Sequence, residues 1–175
     1  VNYPLLSFYV VSYLSHLTHD YLLTGRLLSL VSLGISCVLV GLIVRKLTGD
    51  IAAALFGGFF CLGLFCTAAS TYIGESDPQV FAQIFFLGGM LIYVSRPPTL
   101  RWIGAVALLF ALGGNVKHNV VDFPLVVFLD LFLVSRRKAF QFMFFSGILA
   151  GISIVINTSV GGPFFVSNLL TGRSY

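Results

Sequence analysis

Charged side chains are scarce in this chain, and that scarcity excludes most soluble proteins. Only 9% of the 175 residues are Asp, Glu, Lys or Arg, whereas a soluble globular domain carries about 25%. Hydrophobic residues make up 58% of the chain, and the mean hydropathy is +1.00. This composition predicts an integral membrane protein. The net charge of +4 is then explained by Lys and Arg in cytoplasmic loops, so no nucleic-acid partner is expected.

Cysteines are few, and repeats and soluble segments are lacking. Cys37, Cys61 and Cys66 all lie inside apolar runs, where cysteine packs as a small hydrophobic residue. Their spacing supports neither a disulfide framework nor a metal site. Because no internal repeat, low-complexity tract or soluble stretch divides the chain, residues 1–175 are predicted to form a single transmembrane domain.

The two ends of the chain also lack expected features. The chain begins at Val1 without Met, and no basic region and cleavage site precede the first apolar stretch, so a signal peptide is not predicted. It ends at Tyr175, just after a polar, glycine-rich segment. The chain is therefore expected to be an internal fragment of a longer membrane protein.

Long apolar runs dominate what is present. A helix needs about 20 apolar residues to cross roughly 30 Å of hydrocarbon. Residues 4–17 form a shorter run with Ser and Tyr, which predicts a helix lying at the membrane interface or, alternatively, the tail of a truncated span. The predicted fold is an all-α, polytopic transmembrane bundle of about six spans plus this N-terminal interfacial helix. The spans are 24–44, 51–73, 78–94, 102–116, 120–134 and 139–157.

The distribution of basic residues predicts the orientation of the bundle. Seven of the ten Lys and Arg residues fall in turns at one end of the predicted spans, and the positive-inside rule places those turns in the cytoplasm. The opposite end is then predicted to face outward. The seven residues are Arg45, Lys46, Arg96, Arg101, Arg136, Arg137 and Lys138.

Polar residues cluster in three segments at the outward end, over 72–83, 115–122 and 161–175. Runs 102–116 and 120–134 are each about 22 Å long as helices, too short to span alone. Lys117 and His118 are therefore predicted to line a recess that opens outward. Ionisable residues at membrane depth are candidates for function. The candidate binding residues are Glu75, Asp77, Gln79, Lys117, His118, Asn119 and Arg173.

Simpler roles stay open for several of these residues. Lys117 could extend its ammonium to the membrane interface, and His118 could be an ordinary interfacial histidine. Asp77 could only cap the helix that Pro78 begins. Asp130, near the basic end, is expected to pair with basic residues near Arg136 rather than to take part in chemistry.

Several stretches together resemble a known family. They are "NYP" at 2–4, "GRLLSL" at 25–30, "ESDPQVFAQIFFLGGMLIY" at 75–93, "VKHNVVDFPLVVFLDLFLVSRRK" at 116–138 and "GGPFFVSNLLTGRSY" at 161–175. They are similar to polyprenyl-phosphate-sugar-dependent glycosyltransferases of the GT-C fold, which are related to protein O-mannosyltransferases and aminoarabinose transferases. The resemblance covers nearly the whole chain.

The resemblance implies an enzyme that moves a sugar from a polyprenyl-phosphate donor to a glycan, lipid or protein acceptor. The expected location is the outer face of a bacterial inner membrane. The catalytic acid of the family precedes the first residue of this chain, so the chain alone is expected to be inactive. Lys117, His118 and Arg173 would face the lipid phosphate, and Asp77 and Glu75 would orient hydroxyl groups. No metal-binding residue is predicted, and the sequence names neither a cofactor nor a metal. A transporter subunit and a non-catalytic membrane scaffold are the alternatives.

Overall fold

The computed structural model describes residues 4–161, and every regular element in that range is helical. The all-α class is therefore confirmed for the described residues. A short 3-10 turn, Ser70–Tyr72, follows the third of seven α-helices. The helices are α1 Leu6–Thr18, α2 Tyr21–Thr48, α3 Ile51–Thr67, α4 Pro78–Ser95, α5 Leu100–Val116, α6 Asp122–Val134 and α7 Arg136–Gly161.

Three of these helices, α2, α4 and α7, are long and apolar enough to cross a membrane. Helices α3 and α5 are apolar but have 17 residues each, and α6 has 13. The prediction of one continuous span over 51–73 is wrong, because α3 ends at Thr67 and the chain then turns. At about 1.5 Å per residue, α3 and α5 reach roughly 25 Å. A multi-pass membrane protein is possible on these lengths.

Aspartate side chains define where three of the helices begin. Asp20 accepts hydrogen bonds from the backbone N–H groups at the start of α2, and Asp50 does the same at the start of α3. Asp77 accepts one from the N–H of Gln79 at 2.6 Å, with Pro78 at the first helical position. A side-chain oxygen at this position satisfies an otherwise unpaired N–H. Half of the six acidic residues therefore have a local structural role.

The helices pack side by side in the order α3, α2, α4, α5, α7, and α6 lies against α7 and also touches α4 and α5. Helix α1 lies against α2 and α5. We call the end with the starts of α2, α4 and α6 the polar end, because it holds Asp77 and Lys117. We call the other end, where the turns at 45–50, 96–101 and 135–138 lie, the basic end.

The buried face of α2 is small and polar, while its large apolar side chains point outward. Its buried residues are Thr24, Gly25, Ser29, Ser32, Leu33 and Ser36. Leu27, Leu30, Val31, Ile35 and Val38 on the same helix are exposed. This distribution is the reverse of a helix in a water-soluble bundle and is typical of helices that contact lipid and pack through small residues.

The apolar core lies among α4, α5, α6 and α7. Phe86 at its centre is 1% exposed, and its ring packs on the rings of Phe110 and Phe123. Gly89 and Gly113 face Phe110 and Phe86 respectively, so α4 and α5 approach closely and run antiparallel. The other fully buried core residues are Ala82, Ile103, Val106, Ala107, Val116, Val127, Leu131, Ala139 and Phe142.

A methyl group at Gly113 is expected to destabilise the bundle. It would lie 2.7 Å from Cε2 of Phe86, whose ring is held by two other rings. Gly113→Ala should therefore be about 1–3 kcal/mol less stable than Gly114→Ala, because overpacking a buried site costs that much. Gly114 is the matched control, since it shares the helix and its added methyl group would meet nothing within 4 Å. Thermal unfolding in detergent measures both; equal stabilities would contradict the packing.

Candidate functional site at the polar end

An ion pair joins the start of α4 to the end of α5. Lys117 follows the last residue of α5, and its backbone N–H donates to the carbonyl of Gly113. Its ammonium Nζ lies 2.9 Å from Oδ1 of Asp77. The side chains are 8% and 21% exposed respectively. Between residues 4 and 161, no other pair of described side chains forms an ion pair.

The burial of Lys117 bears on two predictions made from the sequence. A lysine that only extends to the membrane interface keeps its ammonium in water. This ammonium instead lies within the bundle beside a carboxylate, which favours a paired setting over snorkelling. The capping role of Asp77 is confirmed, because Oδ1 accepts from the N–H of Gln79 as well as from Lys117. Asp77 therefore has two roles at once.

A groove of about 650 Å³ opens beside Asp77, between α1, α2 and the start of α4. Its floor is apolar, with Phe8 and Phe81 among the lining residues. Gly25 allows α2 to pass close to the loop before α4, because a methyl group there would lie 1.9 Å from Oγ of Ser76. Five hydroxyl-bearing residues line the groove together with Asp77: Ser7, Ser12, Tyr21, Ser29 and Ser76.

A second cavity of about 420 Å³ lies between α5, α6 and α7. His118, Asn115 and Asn157 line it at the polar end. Asn157 donates from Nδ2 to Oδ1 of Asn115 at 2.9 Å, and its own Oδ1 accepts from the N–H of Leu5 at 3.1 Å. This buried amide therefore ties the start of α1 to α5 and α7.

The structure thus separates Lys117 from His118, although both were predicted to line one recess. Asp77 and Lys117 are joined, but Asp77 lines the groove beside α1, whereas His118 lines the cavity beside α7. The Lys117 side chain points toward α4, whereas the adjacent His118 lies in the turn that follows α5 and is exposed.

Within residues 4–161, the side chains of Glu75, Gln79, His118 and Asn119 form no hydrogen bond with the carboxylate of Asp77. Glu75 and Asn119 are exposed, and Gln79 is half-buried and contributes its backbone N–H to the cap. Arg173 lies outside the described residues. Asp130 at the basic end accepts a hydrogen bond from the hydroxyl of Tyr93, so its expected pairing near Arg136 is wrong.

Sequence reasoning missed the serines of the groove and the amide of Asn157. The serines carry no local signal, because they come from α1, α2 and the loop before α4. Asn157 did offer one, since an amide inside the apolar run 139–157 favours a hydrogen bond between helices. Across residues 4–161, no group of three or more His, Cys, Asp or Glu side chains is placed to hold a metal ion.

Comparison of the chain with protein-family models, with curated proteins and with solved structures gives no match. The polar end of the bundle and the sequence motifs are therefore the features that point to a function.

Proposed function

We propose that the chain is part of an integral-membrane glycosyltransferase that moves a sugar from a polyprenyl-phosphate donor to an acceptor at the outer face of a bacterial plasma membrane. In this proposal α2 to α7 form six spans, and α1 lies at the interface. The observation that carries the proposal is the buried Lys117–Asp77 pair beside a hydroxyl-lined groove at the polar end.

The surface of the bundle supports the membrane part of the proposal. Phe56 and Phe59 of α3 are each 70% exposed, and Leu133 of α6 is 85% exposed. Large apolar side chains on the outside of so many helices are stable in lipid and costly in water. Helices α3, α5 and α6 are shorter than the bilayer core, and local thinning or neighbouring longer helices accommodate such segments at modest cost.

The chemistry of sugar transfer fits the groups at the polar end. The oxygen of an acceptor hydroxyl attacks the anomeric carbon, and its proton passes to a carboxylate, which the family resemblance places before Val1. The bond from the anomeric carbon to the phosphate oxygen breaks, and the electron pair leaves with the lipid phosphate. A fixed ammonium near that oxygen stabilises the departing charge most in the transition state.

Within this chain, Lys117 is the proposed partner of the lipid phosphate, and Asp77 is the proposed partner of sugar or acceptor hydroxyls. Asp77 uses Oδ1 for both of its described hydrogen bonds, so Oδ2 keeps acceptor capacity at the groove. The aromatic and apolar floor of the groove suits the apolar face of a sugar ring. Glu75, Gln79, His118, Asn119 and Arg173 remain proposed contacts around this centre.

The alternatives predict other features. Transporters often contain helices broken near the membrane midplane. Helices α2, α4 and α7 are continuous from end to end within the described residues, which favours chemistry at one face. A scaffold would tolerate loss of every polar residue at the polar end.

The test uses the complete protein that contains this chain, in liposomes with polyprenyl-phosphate sugars labelled in the sugar. Lys117→Ala is expected to lower turnover about a hundredfold, the typical effect of losing one charged transition-state contact. Lys117→Arg should keep part of the activity, because charge remains while geometry changes. Asp130→Asn at the basic end is the control and should leave turnover near normal.

A second variant separates chemistry from folding. The double variant Asp77→Asn/Lys117→Met removes both charges, so it should recover stability relative to Lys117→Met but should not recover turnover. If the double variant recovered both stability and turnover, the Lys117–Asp77 pair would serve folding alone, and its proposed role in transfer would be overturned. Absence of sugar transfer by the well-folded native protein, with vectorial uptake of a solute instead, would establish the transporter reading.

A further inference from the structure

Two arginines converge on the single tryptophan of the chain at the basic end. The guanidinium carbon of Arg96 lies 5.1 Å from the centre of the Trp102 ring, and that of Arg101 lies 5.0 Å from it. Both distances are in the range of cation–π contacts. Both arginines are exposed, and Trp102 is half-buried. Two positive charges are therefore gathered around one aromatic ring.

Acidic residues at this end do not neutralise the two arginines. In the part of the chain that the structure describes, neither arginine forms an ion pair. Asp130 accepts from the hydroxyl of Tyr93, and Asp50 caps α3 through the N–H of Ala52. The like charges of Arg96 and Arg101 consequently repel each other, and an anion bound between them would relieve that repulsion.

The turn that joins the two arginines is restricted in conformation. It contains Pro97 and Pro98, whose rings fix the backbone angle φ. The N–H of Thr99 also donates to the carbonyl of Pro97 at 2.7 Å. A restricted turn holds two guanidinium groups near one position at little entropic cost, which favours binding of one ligand by both.

We propose that Arg96, Arg101 and Trp102 bind the phosphodiester headgroup of an anionic phospholipid. Guanidinium groups recognise phosphate oxygens through paired hydrogen bonds. Tryptophan prefers the membrane–water interface, and basic pockets at helix ends bind anionic lipid headgroups. The exposed Leu100 beside them offers an apolar contact for the lipid chain. This site lies at the end of the bundle opposite Asp77 and does not depend on sugar transfer.

Trp102 reports on its own site, because it is the only tryptophan in the 175 residues. The complete protein that contains this chain, with any tryptophan outside these 175 residues replaced by phenylalanine, is reconstituted into phosphatidylcholine vesicles that contain a small fraction of brominated lipid, and its fluorescence is measured. Bromine quenches only on close approach. Brominated phosphatidylglycerol is expected to quench Trp102 at a roughly tenfold lower mole fraction than brominated phosphatidylcholine, given the effect of two basic residues on anionic-lipid binding.

Matched variants locate the effect. Arg96→Gln/Arg101→Gln should abolish the preference for phosphatidylglycerol, and Arg96→Lys/Arg101→Lys should retain part of it. Arg137→Gln/Lys138→Gln removes the same charge from the same end and should retain the full preference. It should also be well tolerated, because basic residues in the first turn of a helix such as α7 oppose its dipole.

Three results would overturn the proposal. Equal quenching by the two brominated lipids would exclude an anionic-lipid site while leaving Trp102 at the membrane. If Arg96→Gln/Arg101→Gln and Arg137→Gln/Lys138→Gln lost the preference for phosphatidylglycerol equally, the preference would reflect overall charge rather than a site. A shift of Trp102 emission by inorganic phosphate in detergent, as large as that with the lipid, would exclude a phospholipid as the specific ligand.

Discussion

Lys117→Met is expected to lower the free energy of unfolding by about 3 kcal/mol, because it leaves the carboxylate of Asp77 partly buried without its ammonium partner. Methionine keeps a similar length and apolar volume, so the loss measures charge rather than packing. Asp77→Asn should lower the free energy of unfolding by a similar amount. Asparagine caps helices as well as aspartate does, so the substitution removes the ion pair and keeps the cap. The measurement is unfolding in mixed micelles.

Two further variants identify the cause of that loss. The double variant Asp77→Asn/Lys117→Met should be more stable than either single variant, because neither uncompensated charge remains. Asp20→Asn is the matched control: Asp20 caps α2 through the N–H groups of Leu22 and Leu23, but it is exposed and is not in the ion pair. If Asp77→Asn cost no more than Asp20→Asn, the pair would contribute nothing to stability.

Phe86→Ala is expected to cost about 3 kcal/mol of stability, near the lower limit for loss of a buried phenylalanine. Phe86 is 1% exposed and packs on two other rings, so the substitution leaves a cavity among α4, α5 and α6. Lipid chains, unlike water, solvate an exposed phenylalanine well, so the substitution loses packing contacts and little hydrophobic free energy. The expected cost is therefore near the lower limit.

Phe59→Ala provides the comparison for Phe86→Ala. Phe59 is the same residue type, but it is 70% exposed on α3 and would contact lipid. Its substitution should change the free energy of unfolding by less than about 1 kcal/mol, as is usual for surface positions. Thermal or denaturant unfolding in the same detergent measures both. A loss at Phe59 as large as that at Phe86 would mean that α3 is buried by a partner in the native assembly.

These stability effects bear directly on the transfer assay. Lys117→Met is expected both to unfold more easily and to turn over more slowly, so activity must be compared at equal folded fraction. Phe86 of α4 lies in the core against α5. Its alanine variant is the reference, because it is destabilised without losing a charged group. Phe86 also lines the second cavity, so activity per folded molecule is compared between the two variants, and it should fall further in the double variant of the ion pair than in Phe86→Ala.

The sequence by itself determined the features that depend on local signals. Long apolar runs predicted helices, three of which are long and apolar enough to cross a membrane, and the observed helices follow those runs closely at 78–95 and 100–116. Asp77 followed by Pro78 predicted a helix start, because a cap needs only the side-chain oxygen and the next backbone N–H groups. Helix length was less certain: Ala68, Ala69 and Ile73 extended the apolar run 51–73 beyond Thr67, where α3 ends.

Only the tertiary structure decided which side chains meet. Lys117 and Asp77 are 40 residues apart, and they pair because Gly89 and Gly113 let α4 and α5 approach closely. That close approach turns Lys117 toward α4 and leaves His118 on another cavity, which no spacing in the sequence predicts. The same holds at the basic end, where the packing of α4 beside α6 brings Tyr93, rather than a basic residue, to Asp130. Such contacts depend on distance in space, whereas sequence patterns report only the direction in which each helix presents its own side chains.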